Sequence, residues 1–169
     1  MTVKDLERLF DYGYWANGKL LPVVARLTQE QFTRTVAGSY GSIRNTLVHM
    51  LSAEWGWLER CGGAKRGAAL AADNYPDLDS IASTWRTVEA SMREFLSTLH
   101  DADLERNVEF KIPGAEPRVM PLGVLMQHGA NHGVHHRGQV ALLLRVLGQV
   151  PGNVDLLIYD IEKGSAAAT

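Results

Sequence analysis

Apolar residues recur along the first 27 positions at intervals of three and four: Val3, Leu6, Phe10, Gly13/Tyr14, Leu20/Leu21, Val24 and Leu27. This spacing places them on one stripe of an amphipathic helix running from about Val3 to Arg26. Asp5 and Glu7 stand in its first turn, where carboxylates suit the positive end of the helix dipole. Pro22 predicts a kink, because its ring lacks an N–H and crowds the preceding turn. A second helix is predicted from Ser42, a side chain suited to an N-cap, to Arg60, with Ile43, Leu47, Met50, Leu51 and Leu58 as its stripe. Gly62-Gly63 ends it. A third, from about Leu78 to Leu99, carries Ile81, Trp85, Val88, Met92, Phe95 and Leu99, with Asp77 or Asp79 as its cap. The fourth begins after Pro121 and runs to Leu147, stopped by Gly148.

The segments between these helices are less regular. Gly62 to Pro76 is rich in glycine and alanine and reads as a loop. Asn107 to Ile112 alternates polar and apolar residues, Pro113-Gly114 follows, and Arg118-Val119-Met120 comes after. That pattern predicts a small β-hairpin between the third and fourth helices. Asn153 to Glu162, with Val154, Leu157, Ile158 and Ile161, reads as a short C-terminal helix packing back on the bundle. Residues 1–163 are expected to form one domain, and the tail from Gly164 to Thr169 to fray. Four long amphipathic helices without repeat or linker make an all-α four-helix bundle the expected architecture.

Composition narrows the function classes. The 169 residues are 46 % apolar and 21 % charged, ordinary values for a globular domain with a sizeable core. A net charge of −2 and no basic face give no footprint for nucleic acid or an anionic membrane surface. The charged start (Lys4, Asp5, Glu7, Arg8, Asp11) does not read as a signal peptide, and no apolar run approaches a membrane span. The lone Cys61 cannot make an internal disulfide, so a reducing cytoplasm is the expected setting. Beside Gly62-Gly63 and with no nearby histidine in sequence, Cys61 reads as an inert thiol rather than a nucleophile.

The chemistry concentrates in Gln127-His128-Gly129-Ala130-Asn131-His132-Gly133-Val134-His135-His136-Arg137-Gly138-Gln139, which holds four of the six histidines. His132 and His136 stand one turn apart on one helix face, as two ligands of one metal would. On a helical wheel His136 falls inside the core stripe and His132 on its edge, with Gly129 and Gly133 clearing space on the same side. A buried imidazole is either hydrogen-bonded or metal-bound. His128 lies about 12 Å along the axis from His136, too far for one straight helix to bring both with His132 to one ion. His135 points away from the core, and His100, beside Asp101 and Asp103, reads as a surface residue. On the second helix His49 sits among Ser42, Asn45, Thr46, Ala53 and Gly56, small side chains that leave room for a cleft or close helix packing. By itself it reads as a core or flank histidine; with the His132/His136 pair it becomes a candidate third ligand. A di-iron carboxylate bundle needs Glu-x-x-His motifs, and no glutamate precedes the fourth helix's histidines by three positions.

The chain resembles the DinB family of damage-inducible proteins, within the DinB/YfiT-like metalloenzyme superfamily. The resemblance is carried by Leu9-Phe10-Asp11-Tyr12-Gly13-Tyr14-Trp15-Ala16-Asn17, by Asn45 to Glu54 with Trp57, by Met120-Pro121-Leu122, by Asn131 to Gln139, and by Pro151 to Tyr159. Its most specific part is His135-His136-Arg137-Gly138-Gln139. The resemblance implies a four-helix bundle with one divalent metal held by His49, His132 and His136, and homodimerisation. Zinc or nickel is the first expectation for the metal, with iron or copper also suited to histidine ligands. Relatives of known activity are thiol-dependent transferases or isomerases, which implies a low-molecular-weight thiol as a further cofactor. Many members have no assigned reaction.

Three protein ligands with an open vertex suit a catalytic rather than a structural site. The leading expectation is thiol S-transferase chemistry on a small-molecule substrate, through a metal-activated thiolate. A metal-dependent hydrolase would use the same site, and a non-catalytic stress-response bundle stabilised by its metal is the third reading. Glu54, Gln139 and Arg137 are the candidates for orienting the ligands or meeting substrate. For Glu54 a helix-surface or structural ion-pair role weighs at least as much, and for Gln139 and Arg137 solvated or interface roles are the favoured reading. Aromatic residues on several sides of the first helix (Phe10, Tyr12, Tyr14, Trp15) suggest a homodimer contact.

Overall fold

The computed structural model describes residues 1–37, 40–64, 67–111 and 114–167, the last three of these by backbone alone. Its elements are α1 (Val3–Val24), α2 (Gln29–Thr33), α3 (Ile43–Cys61), α4 (Leu78–Ser97), β1 (Asn107–Phe110), β2 (Arg118–Pro121), α5 (Leu122–Val146) and α6 (Leu156–Ala167). The four long helices are those the periodicity predicts. Pro22 falls in the last turn of α1, which ends two residues later. No helix among the described residues is long and apolar enough to cross a membrane.

Four of the helix starts have a side-chain cap. Thr2 Oγ1 accepts from Asp5 N at 3.2 Å while Asp5 Oδ2 accepts from Thr2 N at 2.7 Å, a reciprocal capping box. Ser42 Oγ accepts from Asn45 N at 3.1 Å to open α3. Of the two aspartates available before α4, Asp77 is the cap, its Oδ1 accepting from Ser80 N at 2.8 Å. The five-residue α2 escaped the sequence pattern, being too short to show a period, yet Thr28 and Gln31 cap it in the same reciprocal way.

In the bundle α5 packs on α1 and α3, and α4 on α3 and α1. The hairpin pairs antiparallel with Asn107 opposite Pro121 and Phe110 opposite Arg118. Its expected members Ile112 and Pro113 lie outside the described residues, as do Ala168 and Thr169, and α6 continues to Ala167 through residues expected to fray. The core divides into two apolar halves. One gathers Leu20, Val24, Leu47, Leu51, Ile81 and Leu144. The other gathers Leu6, Phe10, Trp57, Met92, Leu122 and Met126. Between them lies a layer containing buried polar residues Asn17, His136 and Arg137.

The aromatic face of α1 differs from its expected use. Phe10 and Tyr12 are buried. The Tyr12 hydroxyl donates to Val154 O at 2.8 Å, and its ring meets Tyr159 edge-on at 5.9 Å. Trp15 Nε1 donates to Glu162 at 2.8 Å, and Arg8 pairs with Asp160. The chain's own α6 therefore covers Tyr12 and Trp15, while Phe10 packs in the core and Tyr14 donates to Glu54. Cys61 is buried, and burial pushes its thiol up to about 11, in keeping with an inert group.

Leu51 is fully buried among Leu47, Val48, Ile81 and Leu144. Leu51→Ala is expected to lower unfolding stability by about 2–5 kcal/mol with helix content retained, read by urea denaturation.

Candidate metal centre

His132 and His136 project from α5 and His49 from α3, the helix packed beside it. Their ligand atoms all lie within 4.8 Å of one another. His132 Nε2 stands 3.1 Å from both His49 Nε2 and His136 Nε2. A tetrahedral ion bonded at about 2.05 Å would set such nitrogens about 3.3 Å apart. The three are thus compatible with holding one metal ion.

The protonation pattern points the same way. His136 Nδ1 lies 2.7 Å from Gln139 Oε1, and Gln139 Nε2 lies 3.2 Å from His135 Nε2. With the amide oxygen on His136, the ring proton belongs on Nδ1 and the Nε2 lone pair faces the other histidines. Burial holds His49 and His132 down to about 4, and neighbouring imidazoles add to the effect at both. His136 is lowered by burial too, with its Gln139 hydrogen bond opposing. Near neutral pH the trio is uncharged, the state that binds a cation. Converging lone pairs repel unless a proton or a cation sits among them.

Among the other candidates, Gln139 is placed to orient His136. Glu54 is engaged elsewhere: Tyr14 donates to its Oε1 at 2.7 Å and Trp85 Nε1 to its Oε2 at 2.9 Å. Burial pushes the Glu54 carboxyl up, against those donors and the charge of Arg137. Arg137 is 5 % exposed, its guanidinium over the Tyr12 ring at 5.4 Å and 3.4 Å from Asn17 Oδ1. A solvated or interface role, the reading favoured from sequence, gives way to burial against α1. Gly133 gives it room, and Gly13 faces it at ordinary contact distance. A Cβ on Gly133 would come within 3.0 Å of Arg137 Nη1, and one on Gly13 within 3.5 Å. Space cleared at Gly133 serves the arginine, and that at Gly129 faces Trp57.

His128 packs edge-on to Trp57 at 5.2 Å and its ring is 6.0 Å from that of His132. His135 is exposed on the far side of Gln139, and His100 is a surface residue beside Asp103. A cleft of about 820 Å³ opens beside the hairpin, lined by Arg60, Arg106, Phe110 and Lys111, and none of the three histidines lines it. Sequence reasoning missed Tyr40. Its ring stacks on His49 at 3.7 Å and meets His136 edge-on at 5.4 Å.

A pH dependence follows for the metal-free protein. His49 and His132 titrate near 4 when folded against 6.5 as free groups, so the unfolded chain takes up protons first. Their contribution is present above about 6.5 and is lost as pH falls toward about 4. Thermal midpoints measured in chelator should fall across that window, and less steeply in a His132→Gln variant.

A model of the DinB family matches residues 1–164. "Protein DinB" of Bacillus subtilis (strain 168) is 24 % identical over 157 residues, covering 90 % of this chain and 91 % of that protein. A second Bacillus subtilis protein, the uncharacterized YizA, is 24 % identical over 144 residues, covering 85 % and 89 % respectively. The crystal structure of a DinB-like protein from Bacillus cereus ATCC 10987 superposes with a TM-score of 0.72 at 25 % identity, over 91 % of this chain and 98 % of that one. With a helical bundle, a histidine trio and a family match spanning nearly its whole length, this chain belongs to the DinB family.

Proposed function

We propose that this protein is a divalent-metal-dependent enzyme of the thiol S-transferase type, with His49, His132 and His136 as metal ligands and a low-molecular-weight thiol as co-substrate. The observation that carries the reading is the convergence of three uncharged imidazoles, two of them half-buried, on one point. Three ligands leave a vertex for an exogenous group. Zinc or nickel bound there supplies an undiminished double positive charge that acidifies a coordinated thiol or water.

The chain's own residues favour a thiol over water as the activated group. Among the described residues no carboxylate hydrogen-bonds the trio, and Glu54 is occupied by Tyr14 and Trp85. No carboxylate base therefore stands at the trio among the described residues. A thiol, with a free pKa of about 8.5, needs far less help to ionise than water at about 15.7. Gln139 holds His136 with its Nε2 directed at the shared point, which keeps that vertex fixed while a ligand exchanges. The homodimer is part of the proposal. Leu142 and Val146, 62 % and 61 % exposed one turn apart on α5, are the apolar residues it would use.

Two measurements test the reading. Purified protein loaded with zinc or nickel should hold one ion per chain, and His136→Ala should lose it; stoichiometric metal retained in that variant would overturn the ligand assignment. Loaded protein given a glutathione-like thiol and a chlorinated aromatic should form the thioether at a rate that chelator abolishes. Stoichiometric metal with no turnover on any thiol would sink the transferase assignment and leave the ligand set standing.

A further inference from the structure

The three imidazoles are not steadied in the same way. His136 has its outer nitrogen on Gln139 and is 4 % exposed, so both packing and a hydrogen bond fix its ring. His132 stands one turn earlier on the same helix, between the other two. His49 comes from α3, is half-buried, and among the described residues has its one hydrogen-bond contact with His132. Among the described residues nothing of the Gln139 kind orients it.

A flat aromatic face does lie against it. The Tyr40 and His49 rings are stacked with centroids 3.7 Å apart and planes 18° from parallel. The same Tyr40 ring presents an edge contact to His136 at 5.4 Å and 67°. Tyr40 is 47 % exposed, so burial in the core does not explain its position. The backbone delivers it there. Gly41 adopts φ +89°, a left-handed conformation that side-chain-bearing residues rarely take, and its carbonyl accepts from Val36 N at 2.6 Å. Ser42 then caps α3. This turn lays residue 40 back alongside the helix it precedes, over the position two turns in.

We propose that Tyr40 is the positioning residue for His49: its face fixes the imidazole plane so that Nε2 points at the shared metal position, as Gln139 does for His136. The proposal rests on the metal-ligand reading above. Aromatic stacking of this kind corresponds to about a two- to tenfold effect in an equilibrium constant, reaching only the lower edge of the roughly 10- to 100-fold that hydrogen-bonding groups behind a metal ligand contribute.

Zinc affinity, measured by competition with a chromophoric chelator, tests it in the wild-type protein, Tyr40→Ala and Tyr40→Phe. Thermal midpoints of the metal-free forms are taken alongside. Tyr40→Ala should bind zinc about two- to tenfold more weakly, Tyr40→Phe should match the wild type, and the metal-free midpoints should coincide. Wild-type affinity in Tyr40→Ala overturns the proposal and leaves the metal reading intact. Equal weakening in Tyr40→Phe overturns it too, because the hydroxyl rather than the stacked face would then be responsible. A metal-free midpoint that falls in Tyr40→Ala in step with the affinity makes the residue a structural part of its loop, which also overturns it. A wild-type protein that binds no zinc overturns both readings together.

Discussion

Burying an imidazole, a carboxylate or a guanidinium costs several kcal/mol unless each is paired, and the middle of this bundle buries all three kinds. Two apolar clusters close the ends, so the central layer has to resolve its polar groups internally. It does so in two separate sets. Glu54 is satisfied by Tyr14 and Trp85, with Arg137 and Asn17 nearby, which ties α1, α3, α4 and α5 together. The imidazoles of His49, His132 and His136 form the other set, and there the nitrogens face one another. The first set meets its carboxylate with protein donors, and among its described atoms Arg137 Nε alone is buried without a partner. The facing nitrogens of the second are not met in this way, and that difference separates a structural cluster from a centre able to take a cation.

One helix serves both sets. His132 and Gly133 are neighbours in sequence, as are His136 and Arg137, and successive residues on a helix point about 100° apart. His132 and His136 accordingly turn toward α3 while Gly133 and Arg137 meet α1. Glycine at 133 gives the arginine its room, since a methyl group there would press on the guanidinium. The six residues His132 to Arg137 thus reach two different interiors without a break in the helix.

The long helices were legible because each carries an unbroken apolar stripe, and Ser42 announced the start of α3. Other features depend on tertiary contacts that a one-dimensional pattern does not hold. Five residues are too few for α2 to show a period. Arg137 read as solvated or interfacial because nothing local reveals its partners Asn17 and Tyr12, more than a hundred residues away on α1. The aromatic residues of α1 suggested an external contact, but α6 meets Tyr12 and Trp15 from within the chain and the bundle takes Phe10 and Tyr14. The His132/His136 pair is visible as a spacing, whereas His49 joins it through the packing of α3 on α5 and, in sequence, through the family resemblance. Tyr40 gave no signal, since it precedes a helix and belongs to no stripe; Gly41 followed by a capping serine was the one local hint of a tight turn.

The junction between the hairpin and α5 carries a mechanical consequence. Pro121 is still paired with Asn107 when the helix begins at Leu122, whose N–H donates to Arg106 O at 2.8 Å. Strand register therefore sets the rotational phase of α5. Inserting one residue between Arg118 and Leu122 would turn everything downstream by about 100° unless the helix slid to absorb it. Changes in the connection ahead of Arg118 leave that phase alone. The short ribbon acts as an indexing stop, and tolerance to length variation should divide sharply at Arg118.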